Sequence, residues 1–299
     1  MKPLNASLCV LIGASSYGIH ASVVKLGFAE GYSVSDVTGI QYLFGVAMLF
    51  LAFLFTKKIK MTKMHWVSLF GVGILLSLTG VFYGLSLHEV PASIAVVMLF
   101  QFTWIGVLIE SIYLKKFPSN KKLLSIVFLW MGTLLSGGVI SSERFRWSAN
   151  GMGILFGFFA AITFALFIFF SGKVAREVPT IKKSMMITLG GLLVVLIAFR
   201  PSFLQEPVQI VEMADFGLLV GIFGSIFPVV FFAIGTPHLD SGLSTIMGAA
   251  ELPAAILAAM WILHEQVVLL QLIGILLILI GIAIPQFHIG PVRNRKQFG

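Results

Sequence analysis

Glu251 places a carboxyl group in the middle of an apolar stretch of this chain. It is the only charged residue between positions 242 and 263. An ionised carboxylate costs about 2.5–3.5 kcal/mol at the centre of a membrane-spanning helix, so such residues usually serve a function. A carboxyl group there can hold a substrate ammonium group or exchange a proton. The alternative is a protonated, packed Glu251 that hydrogen-bonds to the backbone or to Gln101.

Aromatic rings beside polar groups form two further candidate binding positions. Trp104 follows Gln101 by three residues, and Tyr83 follows Thr79 by four. Both spacings place the two side chains on one face of a helix. An aromatic ring beside an amide can bind an aromatic solute or hold a cation over its face. We therefore predict that Tyr83, Gln101 and Trp104 shape a binding site.

A polar stripe follows one face of the first apolar segment. It comprises Gly13, Ser16, Tyr17 and His20. A lipid-facing polar stripe would be costly, so we expect it to face a cavity or a partner helix. His20 would then act as a proton relay or as a packing histidine. Glu110, the other acidic residue in an apolar segment, is expected to reach Lys115 or the lipid interface.

Apolar segments long enough to cross a membrane fill the whole chain. Its 299 residues are 58% hydrophobic and only 11% charged, with a mean hydropathy of +1.02. A membrane-spanning helix needs about twenty apolar residues. We predict ten spans: Asn5–Gly27, Val37–Phe55, Trp66–Leu87, Ala92–Leu114, Leu123–Ile140, Met152–Gly172, Met185–Phe199, Phe216–Gly235, Gly242–Leu263 and Val267–Pro285.

Basic residues concentrate at the termini and in alternate loops, which predicts the orientation of the spans. Short cytoplasmic loops retain Lys and Arg, so both termini are expected on the cytoplasmic side. This topology explains most of the 20 basic residues. They are Lys2, Lys57, Lys58, Lys60, Lys63, Lys115, Lys116, Lys121, Lys122, Lys173, Arg176, Lys182, Lys183, Arg293, Arg295 and Lys296. The net charge of +8 therefore reflects topology and not nucleic-acid binding.

The polar stretch 141–150 divides the chain into two halves with five predicted spans each. We predict an N-terminal repeat at 1–145 and a C-terminal repeat at 146–299. An odd number of spans per half makes the second repeat inverted, a common plan for secondary transporters. An offset of about 150 pairs Gln101 with Glu251. Small residues spaced by four, which predict close helix packing, occur at Gly80 and Gly84, Gly153 and Gly157, and Gly217 and Gly221.

The sequence contains no pattern of a known enzyme site. It has no P-loop and no H-E-x-x-H motif, and no Asp lies within a predicted span. The single Cys9 excludes a cysteine-based metal site or an internal disulfide. We expect neither a cofactor nor a bound metal. A chain without room for a soluble domain must act inside the membrane, which indicates a transporter and not an enzyme.

At this point the sequence resembles the EamA-type permeases of the drug/metabolite transporter superfamily. The first helix of such proteins often reads W-G, with a Lys eight residues after the Trp. Tyr17, Gly18 and Lys25 keep that spacing here. The ninth helix often begins its motif with Glu and ends it with L-G-E fourteen residues later. Glu251 and Glu265 have this separation.

Several positions depart from the family pattern. Proline follows the first Glu by two residues, at Pro253, and His264 replaces the usual Gly. The second helix usually carries an Arg near its start, where this chain has Gln41. The fourth-helix counterpart of the terminal Glu falls near Lys115.

The resemblance implies an all-α integral membrane protein with two inverted five-helix repeats around a central cavity. Helices three, four, eight and nine would line much of it, with parts of one and six. This assignment puts Tyr83, Gln101, Trp104 and Glu251 at the cavity, with His20 and Tyr17 as further candidates.

The family's function implies a multi-pass carrier in the plasma membrane, and the bacterial inner membrane in particular. It would export amino acids or related metabolites by alternating access. Protons are a possible coupling ion, acting through Glu251. The partners would be a small-molecule substrate and the lipid bilayer, with the protein a monomer or a homodimer. Uptake of a quaternary ammonium solute such as choline and a non-transporting sensor or assembly protein remain alternatives.

Overall fold

A computed structural model describes residues 1–56, 61–137 and 151–288 of the chain. Within these residues the protein is helical and contains no strand. Its main helices are α1 (Pro3–Ala29), α2 (Val34–Leu54), α3 (Lys63–Glu89), α4 (Ala92–Leu114), α5 (Asn120–Ser136), α6 (Gly151–Lys173), α7 (Thr180–Ala198), α8 (Ala214–His238), α9 (Ser241–Ile262) and α10 (Leu269–Ala283). The loop between α7 and α8 adds a 3₁₀ turn, Ser202–Leu204, and a short helix, Gln209–Glu212.

Nine helices in the described part of the chain are long and apolar enough to cross a membrane. The exception is α5, which takes the place of the fifth predicted span and is 17 residues long. Residues 138–140 of that predicted span lie outside the described residues. The predicted repeat boundary at 145 does so as well. The position of the termini stays a prediction from the distribution of Lys and Arg.

The predicted start of the seventh span is wrong, because α7 begins at Thr180 and not at Met185. Lys182 and Lys183 therefore lie in the helix and are buried, with exposed fractions of 5% and 2%. The Lys183 ammonium donates a hydrogen bond of 2.5 Å to the Ser171 carbonyl. Lys182 lies over an aromatic ring of α2 at 5.4 Å. These partners compensate two buried charges that the sequence alone places in a loop.

Glycines let several pairs of helices pack with their backbones in contact. A β-carbon at Gly190 of α7 would come within 2.7 Å of the Phe70 carbonyl oxygen of α3. One at Gly132 of α5 would come within 2.7 Å of the Gly274 carbonyl oxygen of α10. Ordinary side chains cannot occupy such positions, so these glycines fix the distance between the helices.

The small-residue patterns have different outcomes. A β-carbon at Gly157 would lie 2.6 Å from a methionine of α4, and one at Gly217 would lie 2.8 Å from an aromatic ring of α2. Helix packing is therefore confirmed at both glycines. No atom of the described residues lies within 4 Å of such a β-carbon at Gly80 or Gly84, so the predicted packing is wrong there.

Candidate functional site

Both α4 and α9 are interrupted near their middle. The halves of α4 are α4a (Ala92–Leu99) and α4b (Phe102–Leu114), and those of α9 are α9a (Ser241–Gly248) and α9b (Glu251–Ile262). Each half of α9 begins 149 residues after the corresponding half of α4. Interrupted helices at corresponding positions of two repeats mark the binding site in many transporters. Both segments were predicted as single spans, so the two breaks are differences from the prediction.

The break in α9 follows from Pro253. Proline has no N–H and its ring collides with the carbonyl four residues earlier, which here belongs to Ala249. That carbonyl instead accepts a long hydrogen bond of 3.4 Å from the Leu252 N–H. Glu251 thus becomes the first residue of α9b.

The break in α4 contains no proline and is held by the Gln101 side chain. The Gln101 backbone N–H donates to the Met98 carbonyl at 3.2 Å, three residues back, which tightens the turn. Its side-chain Nε2 then donates to the Val97 carbonyl at 2.8 Å. Its Oε1 accepts a 2.8 Å hydrogen bond from Trp104 Nε1. Gln101 and Trp104 are therefore partners of each other, and Gln101 does not bond to Glu251.

The two breaks lie against each other. A β-carbon at Gly248, the last residue of α9a, would meet the Phe102 ring at 3.1 Å. Further along the same interface, Gly106 of α4b lies against Thr245, and Gly242 of α9a lies against Glu110. Along this interface the residue numbers increase in α4b while those of their partners in α9a decrease, so the two half-helices are antiparallel. Equivalent helices of the two halves therefore run antiparallel, as an inverted repeat requires.

Glu251 lies where the start of α9b contacts α1. Its side chain is partly exposed, and its carboxyl group accepts no hydrogen bond from the described residues. Gly18, the residue after Tyr17 in α1, lies against the Glu251 backbone. Tyr17 and Tyr83 both pack on the hydrophobic cluster that includes Ala250 and Leu252, the neighbours of Glu251 in the chain. Three of the six predicted site residues, from α1, α3 and α9, therefore lie around one hydrophobic cluster.

The Tyr17 ring packs against two phenylalanine rings. Its ring centroid lies 6.1 Å from that of Phe164 and 6.4 Å from that of Phe232. Phe164 in turn packs edge-on against Phe102 with a centroid distance of 4.8 Å, which connects these rings to the start of α4b. The Tyr17 hydroxyl is buried and has no hydrogen-bond partner among the described residues.

His20 lies apart from this group, between α2 and α8. Its ring would collide with a β-carbon at Gly224, and its buried Nε2 has no hydrogen-bond partner in the described part of the chain. Gln41 of α2 donates a 3.1 Å hydrogen bond from Nε2 to the Gly224 carbonyl. These contacts make His20 part of a helix interface, although they do not test its role as a relay.

Polar side chains of α1 and α2 compensate a distortion in α8. Residues Ile222–Ile226 form a π-helical turn just before Pro228, which has no N–H for the carbonyls one turn back. Ser16 donates to the Phe223 carbonyl at 2.9 Å, and Gln41 bonds to the Gly224 carbonyl as described. The prediction that the α1 stripe faces a partner helix is confirmed at Ser16. The role of Gln41 was missed, although an amide in an apolar span was a signal.

The packing of one face of α3 changes along the helix. Leu69 and Leu76 are buried, with exposed fractions of 0% and 7%. Gly80 and Leu87 lie on the same helix face but are exposed, Leu87 by 40%. One face of α3 is thus packed near its start and open near its end, where it borders the turn that holds Tyr83.

A model of the EamA-like transporter family matches the chain twice, over residues 4–138 and 151–285. The two matches together cover nearly the whole sequence. The chain belongs to the EamA-like transporter family. It is therefore a multi-pass membrane protein with the family's two-repeat architecture, and the resemblance seen in its motifs is confirmed.

Solved structures extend the comparison to the fold. A crystal structure described only as that of a protein superimposes with a TM-score of 0.74 at 18% sequence identity. The match covers 94% of this chain and 97% of that chain. At this identity the similarity shows the fold alone. A comparison with curated proteins finds no match.

Two family motifs of this EamA-like protein meet in an ion pair. Lys25 Nζ lies 2.8 Å from Glu265 Oε1, which joins the end of α1 to the loop after α9b. His264, at the position where the family pattern has Gly, has a left-handed backbone with φ of 55°. Lys115, 149 residues earlier at the end of α4b, has φ of 51°. The left-handed geometry explains a glycine at this position in relatives.

A buried ion pair joins the N-terminal half to the start of α9. Lys122 of α5 lies 2.5 Å from Glu110 of α4b and 3.7 Å from Asp240, which precedes α9a. Glu110 is 5% exposed, so its predicted placement at Lys115 or the lipid interface is wrong. The fold of α5 back along α4b supplies the cation, which spacing along one helix could not predict.

Proposed function

We propose that this EamA-like protein is a secondary active transporter that exports amino acids or related amphipathic metabolites by alternating access. The observation that carries the proposal is the carboxyl group of Glu251. It lies at the start of a half-helix, opposite a second helix break, and accepts no hydrogen bond from the described residues. A carboxyl group in this setting can hold a substrate ammonium group or a coupling proton.

The neighbouring rings support a site for an amphipathic solute. Tyr17 of α1 and Tyr83 of α3 pack on the hydrophobic cluster around the start of α9b, and both are partly exposed. We assign these three residues to direct substrate contact. Gln101, Trp104 and His20 would position helices around the site, because their known contacts lie within α4 and at the α8 interface.

The helix packing supports alternating access between an open and a closed end. Near Gly106 and Gly242 the half-helices α4b and α9a are in close contact, and the Glu110–Lys122 pair lies beside them. Near Gly80, toward the other end of α3, no neighbouring helix of the described chain packs on the glycine. With cytoplasmic termini, the closed end would face the cytoplasm and the structure would be outward-open. We further propose a bacterial inner-membrane location.

Flux through proteoliposomes tests the proposal. Wild type is compared with Glu251→Gln for a panel of amino acids, amines and choline. Glu212→Gln serves as control, because Glu212 is exposed in the short helix between α7 and α8. Amino-acid flux should fall at least about tenfold in Glu251→Gln, as expected from losing one charge-assisted hydrogen bond, and should be unchanged in the control. Wild-type flux of no amino acid would contradict the proposal.

The aromatic residues around Glu251 favour a second candidate function, which is the uptake of a quaternary ammonium solute. Tyr17 and Tyr83 could hold a cation over their rings while Glu251 supplies the counter-charge. Tetramethylammonium separates the candidates. It should compete at a cation–π site, whereas a site that hydrogen-bonds a primary ammonium group should not respond to it.

A further inference from the structure

A polar cavity lies at the end of α1, one turn and more beyond Glu251 along α9b. Its volume is about 180 Å³, and it is bounded by α1, α9b and the chain leading into α10. Its lining includes Ser22, Lys25, Ala255, Ala259, Glu265 and Gln271. A space of this size is several times that of one water molecule and accommodates a small polar group.

Lys25 and Glu265 supply one charge of each sign to this cavity. Their side chains pair at 2.8 Å and are 57% and 48% exposed. An ion pair this exposed contributes only about 0–1 kcal/mol, so a ligand can separate the two side chains at small cost. Alanines at 255 and 259 leave room beside the pair, and Ser22 adds a hydroxyl group to the wall.

The paired charges select against ligands that carry a single charge. An anion at Lys25 would lie next to the Glu265 carboxylate, and a cation at Glu265 would lie next to the Lys25 ammonium group. Each would gain one attraction and one repulsion. A zwitterion with adjacent charges can pair with both side chains at once, because its anionic group lies next to the Lys25 ammonium group and its cationic group lies next to the Glu265 carboxylate.

We propose that this cavity binds a zwitterion, with its anionic group at Lys25 and its cationic group at Glu265. Two sources supply this chemistry, a free amino acid and a lipid headgroup such as phosphoethanolamine. The inference rests on the proposed function only for the first source, where the cavity would be a second station for the transported solute.

The position of the cavity relates it to the site at Glu251. Gly18 of α1 lies against the Glu251 backbone, and Lys25 follows two turns later on the same helix. On α9b, Ala255 and Ala259 follow Glu251 by one and two turns. Both sites therefore lie on the α1–α9b interface, and the cavity is the one nearer the end of α1.

Binding to the purified full-length chain tests the proposal without requiring transport. The soluble probes are leucine, its amine analogue isoamylamine, its acid analogue 4-methylpentanoate, and phosphoethanolamine. Calorimetry is performed on wild type, Glu251→Gln, Lys25→Gln and Glu265→Gln, with Glu30→Gln as control because Glu30 is exposed near the end of α1 outside the cavity. Melting temperatures establish that each variant is folded.

We expect leucine or phosphoethanolamine to bind both wild type and Glu251→Gln. Affinity should weaken at least about tenfold in Lys25→Gln and Glu265→Gln, the loss expected for a charged hydrogen bond, and stay unchanged in Glu30→Gln. Both single-charge analogues should bind more weakly than leucine. Leucine binding alone identifies the free solute, and phosphoethanolamine binding alone identifies the headgroup.

Three results would overturn the inference: no zwitterion binds wild type, a single-charge analogue binds as well as leucine, or the Lys25 and Glu265 variants bind normally. The two proposals fail separately. Zwitterion binding with no amino-acid flux contradicts the proposed function alone. If flux depends on Glu251 but Lys25→Gln binds the zwitterion normally, only the proposed site at Lys25 and Glu265 is contradicted.

Discussion

Gly18 of α1 lies directly against the backbone of Glu251, so that a β-carbon at position 18 would collide with the Glu251 carbonyl oxygen. The same β-carbon would come within 2.5 Å of the Ala255 backbone nitrogen. Neither backbone atom can move without shifting α9b. The contact therefore fixes where the start of this half-helix, and with it the Glu251 carboxyl group, lies against α1.

Gly18→Ala should abolish flux or reduce it to a few per cent, because separating α1 from α9b displaces Glu251 from Tyr17. Gly71→Ala is the matched control, since no described atom lies within 4 Å of a β-carbon there. Flux in proteoliposomes and the melting temperature of both variants provide the measurement. Normal flux in Gly18→Ala would show that the α1–α9b contact does not position the carboxyl group.

Gln101→Ala should lower the free energy of unfolding by about 1–3 kcal/mol, because it leaves the Val97 carbonyl and the Trp104 N–H without a partner. Trp104→Phe keeps the bond to Val97 and should lose less. Thermal or chemical unfolding in detergent measures both. A larger effect of Trp104→Phe would contradict the role of Gln101 in holding the α4 break.

Lys122→Met should destabilise the protein by about 3–5 kcal/mol, since it leaves the buried Glu110 carboxylate without its cation. The double variant Lys122→Met, Glu110→Gln removes the unpaired charge and should recover most of that loss. A double-mutant cycle from unfolding measurements checks this pair. Additive effects of the two substitutions would show that the ion pair contributes no coupling energy.

The repeat symmetry predicts the contacts of the opposite state. Gly106 packs on Thr245 at the closed end, and the residues related to them by 149 positions are Ala255 and Val96. We expect α9b and α4a to meet through these two residues when the other end opens. The single Cys9 can be replaced by Ser to give a background without cysteine.

In that background, the pair Val96→Cys and Ala255→Cys should form a disulfide when a mild oxidant such as copper phenanthroline is added during turnover. The oxidant takes up the two electrons that the thiols lose, and the cross-link should trap the transporter, which gel mobility and loss of flux would record. The control pair is Val96→Cys with Leu257→Cys, because Leu257 is 44% exposed on another face of α9b. Equal cross-linking of both pairs, or of neither during active transport, would contradict the predicted exchange of contacts.

Several elements were predictable because their signals are local. Apolar runs located the helices, since backbone groups in lipid must satisfy one another along the same segment. Glu251 was identified by its charge within such a run. The break at α9 also had a local signal in Pro253, whose missing N–H acts four residues away. The start of α7 was misplaced, because the partners that bury Lys182 and Lys183 come from other helices.

The sequence by itself determined the class of this protein, the approximate positions of its helices and the presence of two acidic groups, Glu110 and Glu251, in apolar segments. The hydropathy of a segment depends only on its own residues, so it predicts a helix without knowledge of the other helices that pack against it. Only the tertiary structure decided which groups meet: Gly18 with the Glu251 backbone, Gln101 with Val97, Lys122 with Glu110, and Lys25 with Glu265. Most of these contacts depend on helix rotation and on glycine-set distances between helices, which arise when the two repeats pack together.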